Sequence, residues 1–160
     1  MLEYLAGFFD GEGSIYLRRR PRRKSPTYDL RMHAYGADLR PLYLLQKKFG
    51  GYVYRHRGPT ETHQTAYVWE ASLMQSPEVL SQLAPHLIVK KAQALLALRF
   101  LRECYPWGRK RGGVVHRVDA ALEARREWYR LALQRQKKRH GTNLLRPSLS
   151  EERDRRGLLA

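Results

Sequence analysis

Asp10 and Glu12 stand two residues apart, just behind the apolar run Leu5-Ala6-Gly7-Phe8-Phe9 and just before Gly13. The run is predicted to form a short helix over residues 2–10, stopped by Gly11-Glu12-Gly13, with both carboxylates at its C-terminal end. The helix dipole disfavours negative charge there, so a nearby cation would relieve the placement. Carboxylate oxygens are hard ligands suited to Mg²⁺. Gly7 and Gly11 are four residues apart and share one helix face, leaving it nearly bare for the close approach of another backbone. Tyr4, Leu5, Phe8 and Phe9 lie elsewhere around the helix and are expected to bury against a sheet. On these residues alone two readings stand. One is a metal-binding acidic tip beside a helix–helix seam; the other is a core helix followed by an ordinary acidic turn.

Composition narrows the choice of partner. Lys and Arg total 31 against 15 Asp and Glu, a formal net charge of +16 in 160 residues. That charge is bunched and interleaved with Tyr and His, as contacts to phosphates and bases require, so a nucleic acid is the favoured partner. The hydrophobic fraction of 42% is enough for a folded core. Cys104 is the single cysteine, which excludes an internal disulfide and a cysteine-based zinc site. The six His residues show no metal-ligand spacing. No apolar run approaches membrane-spanning length and no signal-peptide pattern opens the chain, which predicts an intracellular protein, cytoplasmic or organellar, with no membrane partner.

The elements that must position these residues read in order as helix, strand, strand, helix, strand, strand, helix, helix, with one more helix at the end. Strands are predicted over Ser14–Arg20 and Thr27–Tyr35, joined by a loop whose tip carries Arg22, Arg23 and Lys24. Asp38 reads as the N-cap of a helix with Leu39, Leu42, Leu45 and Phe49 at helical spacing, ended by Gly50-Gly51. Alternation predicts strands over Tyr52–His56 and Thr65–Ala71. Ser76-Pro77-Glu78 is a helix start, with Ser76 as the capping hydroxyl. A longer helix is expected from about Val89 to Cys104. After a basic, Gly-rich loop at Trp107–Gly113, a last helix over Val115–Arg139 would bury Val118, Leu122, Trp128 or Tyr129, and Ala132. The pattern predicts one α+β domain over residues 1–140, a four-stranded sheet covered on one face by helices, and a loosely held tail at 141–160.

Leu5-Ala6-Gly7-Phe8-Phe9-Asp10-Gly11-Glu12-Gly13 resembles the LAGLIDADG motif, matching at Leu5, Ala6, Gly7, Asp10 and Gly13, with Glu12 in place of its second acid. Phe49-Gly50-Gly51-Tyr52-Val53, Tyr67-Val68-Trp69-Glu70 and Pro85-His86-Leu87-Ile88-Val89-Lys90-Lys91-Ala92-Gln93 resemble the segments that follow it in the LAGLIDADG homing endonucleases. The resemblance covers residues 1–105 or so. It implies the αββαββα fold of that family with additional C-terminal helices. It also implies a sequence-specific double-stranded DNA endonuclease of the intron-homing kind, hydrolysing phosphodiester bonds with a divalent metal at a long pseudo-palindromic site. A single motif implies a homodimer, with Leu5, Ala6, Gly7, Asp10 and Gly11 at the interface. Glu12 takes the role of the acid that binds the catalytic metal, expected to be Mg²⁺. Lys90 matches a lysine near the active site and is assigned electrostatic support of the phosphate or water network. Asp10 is either in the metal neighbourhood or a capping and interface residue. The family commonly places Gln or Asn before the second helix to position water; here the stretch is Gly36-Ala37-Asp38, so either Asp38 takes that role or the role is unfilled. An intron RNA maturase, with host intron RNA as partner, and a catalytically inactive DNA-binding regulator are the alternatives on the same fold.

Strand alternation selects the residues that would read DNA. Ser14, Tyr16, Arg18 and Arg20 share one face, with Asp29, Arg31 and His33 beside them, and Tyr52, Tyr54 and His56 extend it. A shifted register would offer Arg55 and Arg57 instead. Such a face suits a β-ribbon reader of the major groove, where Arg pairs bidentately with guanine. Arg22, Arg23 and Lys24 are expected on phosphates, which adds affinity rather than sequence choice.

Overall fold

In a computed structural model, residues 1–23, 25–59, 64–71, 73–105 and 120–142 are described. The first helix, α1, spans Leu2–Glu12. It runs two residues past the predicted end, because Gly11 and Glu12 continue its last turn. The stop is Gly13, whose backbone is extended and whose N–H donates to the Phe9 carbonyl. A Cβ at Gly13 would press on that carbonyl oxygen and lie 2.6 Å from the Phe9 ring. Only a residue without a side chain lets the chain turn this sharply from helix into strand. Glu12 is thereby left as the final helical residue, at the tip.

Strand β1 (Gly13–Arg20) pairs antiparallel with β2 (Thr27–Gly36). The second hairpin, β3 (Tyr52–Arg57) and β4 (Ala66–Ala71), joins through β4, giving the order β1-β2-β4-β3. One sheet face carries Ile15, Leu17, Tyr28, Leu30, Met32, Ala34 and Trp69, all buried. Leu5 and Phe9 of α1 join the same core. Helix α2 (Leu39–Phe49) begins at Asp38, whose side chain accepts from the Arg40 N–H as the cap pattern predicts. It ends where Gly50 and Gly51 adopt φ of 73° and 88°, a region open to glycine. There the Trp69 indole N–H donates to the Gly50 carbonyl at 2.8 Å.

The remaining elements are α3 (Ser76–Leu83), α4 (Lys91–Cys104) and α5 (Ala120–Thr142). Their order agrees with the sequence reading, but three details differ. Ser76 is not the cap of α3; Gln75 holds that position, and Ser76 is buried in the first turn. Helix α4 starts at Lys91 rather than Val89, since the N–H groups of residues 88–90 turn toward Asp10. In α5 the core residues are Tyr129 and Leu133, while Trp128 is 53% exposed and Ala132 only half-buried. The Tyr129 hydroxyl donates to Glu103 at 2.7 Å, which fixes the helix phase against α4. Helix α5 also packs against β1, the edge strand of the sheet. Lys24, the Trp107–Gly113 loop, Val118 and the tail beyond Thr142 lie outside the described residues. Among those described, no helix is long and apolar enough to cross a membrane.

Candidate active site and nucleic-acid interface

The two acids of the N-terminal segment have opposite fates. Asp10 turns inward: one oxygen accepts from the N–H groups of Ile88 at 2.6 Å and Val89 at 3.1 Å, the other from Lys90 N–H at 2.8 Å. Its carboxylate caps the approach to α4. Glu12 points out. Its carboxylate is exposed and has no hydrogen bond or ion pair among the described residues. Lys90 connects the two acids. Its ammonium donates to the Asp10 backbone carbonyl and lies within electrostatic reach of Glu12. Burial pushes the Lys90 pKa down, while Asp10 and Glu12 pull it back up. Removing the Asp10 acceptor in Asp10→Ala orphans three N–H groups and is expected to destabilise the chain by about 2 kcal/mol, measured as a lower urea midpoint.

Asp38, the candidate for positioning water, caps α2 and pairs with Arg40. Its oxygens are engaged by Arg40, through the backbone N–H at 2.9 Å and the guanidinium at 2.6 Å. These contacts hold the Asp38 carboxyl below the usual carboxylate range. It is a helix cap paired with its neighbour.

The surface of α1 corrects part of the expected seam. Leu5 and Ala6 are fully buried in the chain's own core, because they lie on the helix side that faces the sheet. They have no surface to offer a partner. Gly7 and Gly11 are exposed, and a Cβ built at either would meet nothing within 4 Å. Tyr4, expected to bury, is 54% exposed, while Phe8 is half-buried. Beside the C-terminal turn of the helix, Ile88 is 88% exposed.

The sheet face away from the core carries the polar residues. Register pairs Ser14 with His33, Tyr16 with Arg31, Arg18 with Asp29, and His33 with Glu70, which places them on one side. Asp29 draws Arg20 to 2.6 Å and Arg18 to 3.6 Å. Glu70 pairs with Arg31 and accepts from the Tyr54 hydroxyl at 2.9 Å. His33 lies buried between the hydroxyls of Tyr16 and Tyr35, at 3.5 and 3.3 Å, so it organises the face from beneath rather than reaching outward. Burial pushes its imidazole pKa down, and Arg31, Lys137 and His56 push the same way. A β-bulge between Arg55 and Arg57 sets Arg57 opposite Ala66, while His56 makes an edge contact with Tyr35 at 5.2 Å. Arg22 and Arg23 are exposed in the β1–β2 connection. Glu70, Tyr35 and Lys137 belong to this region and were not among the sequence candidates. The alternation of β4 around Trp69 was the available signal for Glu70; nothing local marked Lys137.

No family model matches the sequence, and no curated protein is significantly similar to it. Solved structures are similar in fold. The homing endonuclease I-CvuI in complex with its target matches with a TM-score of 0.64 at 18% identity, over 94% of this chain and 88% of that one. The archaeal intron-encoded homing endonuclease I-Vdi141I, complexed with DNA, matches at 0.63 and 18%, over 84% and 82% of the two chains. The LAGLIDADG homing endonuclease I-GzeII, in complex with a DNA target, matches at 0.58 and 16%, over 96% of this chain but 48% of that chain. The chain has the LAGLIDADG homing-endonuclease fold.

Proposed function

We propose that two copies of this chain form a site-specific endonuclease of double-stranded DNA, with Glu12 of each copy holding a divalent metal, Mg²⁺, over the cleaved strands. The observation that carries this is the placement of Glu12: an exposed carboxylate without a hydrogen bond or ion pair, at the tip of a helix whose flank is bare at Gly7 and Gly11. Among the described residues no three His, Cys, Asp or Glu side chains gather into a metal site. One carboxylate per chain fits a site completed by a second copy and by phosphate oxygens. Packing α1 of one copy on α1 of another through the glycine face would bring the two Glu12 side chains together. The half-length match to I-GzeII agrees with a unit used in pairs.

A divalent ion bound there supplies Lewis-acid stabilisation of charge developing on the phosphate and eases deprotonation of the attacking water. Glu12 supplies the hard oxygen donors. Lys90, fixed by the Asp10 carbonyl, sets a positive charge beside the phosphate without needing to reorganise. On this reading Tyr16, Arg18, Arg20, Arg31 and Tyr54 meet base edges in the major groove and Arg22 and Arg23 meet phosphates, supported by their shared side of the sheet and by the exposure of the loop. The carboxylates of Asp29 and Glu70 fix the directions of the Arg side chains beforehand, so less freedom is lost on binding. Two chains of +16 each make the complex steeply salt-sensitive.

Arg18→Ala is expected to relax preference at one base pair in each half-site, costing roughly 1–3 kcal/mol there. Affinities measured over a panel of single-base variants check this; equal loss on every sequence would reassign Arg18 to the backbone.

The deciding experiment selects cleaved duplexes from a randomised library, with Mg²⁺ and with EDTA. Cutting at a pseudo-palindromic sequence only in the presence of metal is the expected result. A protein that binds duplex but never cuts it is a regulator instead. One that ignores duplex and binds folded intron RNA is a maturase.

A further inference from the structure

A cavity of about 270 Å³ opens directly beyond Glu12, lined by Gly13, Ser14, Val89, Lys90, Gln93 and Lys137. Three separate elements build it: the start of β1, the start of α4, and the end of the C-terminal helix α5. Lys137 reaches in from α5, where its ammonium donates to the Ser14 hydroxyl at 2.6 Å and sits 4.9 Å from the centre of the Tyr16 ring. Lys90 also lines the cavity, its ammonium on the Asp10 backbone carbonyl. Among the described residues neither ammonium forms an ion pair; both rest on neutral oxygens. Gln93 is 98% buried by its 2% relative exposure, and its side-chain carbonyl oxygen has no hydrogen-bond partner among the described residues.

Lys90 and Lys137 line one cavity and act on each other as like charges; Asp10 and Glu12 offset this at Lys90, and an anion beside Lys137 would relieve the rest. The unpartnered Gln93 carbonyl cannot bond a bare phosphate oxygen but can accept from a water that hydrates one. The cavity is therefore chemically suited to a phosphodiester with one bound water. Its place one residue beyond Glu12 puts that phosphate next to the metal-binding acid.

We propose that Lys137 is a phosphate-positioning residue: it carries the C-terminal helix into the site and, with Lys90 and Gln93, grips one DNA backbone phosphate beside Glu12. This rests on the endonuclease reading for the identity of the phosphate, but the grip itself is a property of binding. Ser14 and Tyr16 then serve to hold the ammonium, which reassigns Ser14 from base reading to support of Lys137.

The test is a chemical double-mutant cycle on a duplex enriched from the randomised library by binding alone. Each phosphate of the bound half-site is replaced in turn by a neutral methylphosphonate, and Kd is measured for the full chain and for Lys137→Met, both in the Glu12→Gln background. Lys137→Met is expected to weaken binding about 10-fold and to flatten the salt dependence by about one counterion per chain. At one phosphate per half-site the losses should fail to add, while Lys137→Arg restores most of the affinity. Full additivity at every phosphate, an unchanged salt slope, or no affinity for any duplex overturns the proposal. Should the wild-type chain bind but never cut, the endonuclease reading falls and the binding cycle still decides the role of Lys137.

Discussion

Glu12→Gln is expected to stop strand cleavage while leaving the protein folded and bound to its target. The substitution keeps shape and removes a hard anionic oxygen, so the metal-dependent part of catalysis goes with it. A loss of several kcal/mol in transition-state stabilisation corresponds to a rate lower by on the order of 10³-fold. Stability should move by no more than about 0.5 kcal/mol, because the exposed Glu12 carboxylate makes no hydrogen bond or ion pair in the chain that could be lost. Affinity should hold or rise, since one negative charge beside the DNA backbone disappears. Single-turnover cleavage, thermal unfolding and Kd read these three quantities separately. A Glu12→Gln protein that cuts within tenfold of the wild-type rate would remove Glu12 from the metal site. The contrast with Asp10→Ala is the sharper check, because that change is expected in the unfolding curve first.

Gly7→Leu is expected to separate the two chains without damaging either. A Cβ at Gly7 meets nothing within 4 Å of the single chain, so the larger side chain is accommodated on an open face. Leu also favours the helix over Gly by about 1 kcal/mol, so the isolated chain gains stability. In the pair the same side chain stands where a second backbone must come close. The cost to association is roughly 2–4 kcal/mol, which raises the dimer Kd thirtyfold to a thousandfold. Sedimentation should then show a monomer at micromolar concentration, and cleavage should fall with it because each chain brings one Glu12. A Gly7→Leu protein that stays dimeric and active would move the seam away from α1.

Much of this molecule was legible in one dimension. The order of the nine elements among the described residues followed from periodicity, and the cap at Asp38 and the stop at Gly50-Gly51 from residue chemistry. The shared face of Ser14, Tyr16, Arg18 and Arg20 followed from the strand period of two, as the pairing with His33, Arg31, Asp29 and Thr27 bears out. The resemblance of the N-terminal segment named the fold before any coordinate did. These features depend on neighbours a few residues away, and short-range spacing records them.

What depended on distant segments was not legible. Asp10 and Glu12 are alike in type and two positions apart, yet one is sealed by N–H groups 78–80 residues away and the other is left open. Leu5 and Ala6 belong to the motif as much as Gly7 does, but the sheet chose which side of the helix to cover. His33 alternates correctly with Arg31 and is nonetheless buried, because Tyr16, Tyr35 and Glu70 close over it from three strands. Lys137, at the end of a basic helix, carried no mark at all until α5 lay down along β1. The sequence by itself determined the order of the elements and the faces of the strands, since helix and strand periods are local. Tertiary structure alone decided which of two acids is free and which cations stand beside it, since burial and pairing are set where remote segments meet.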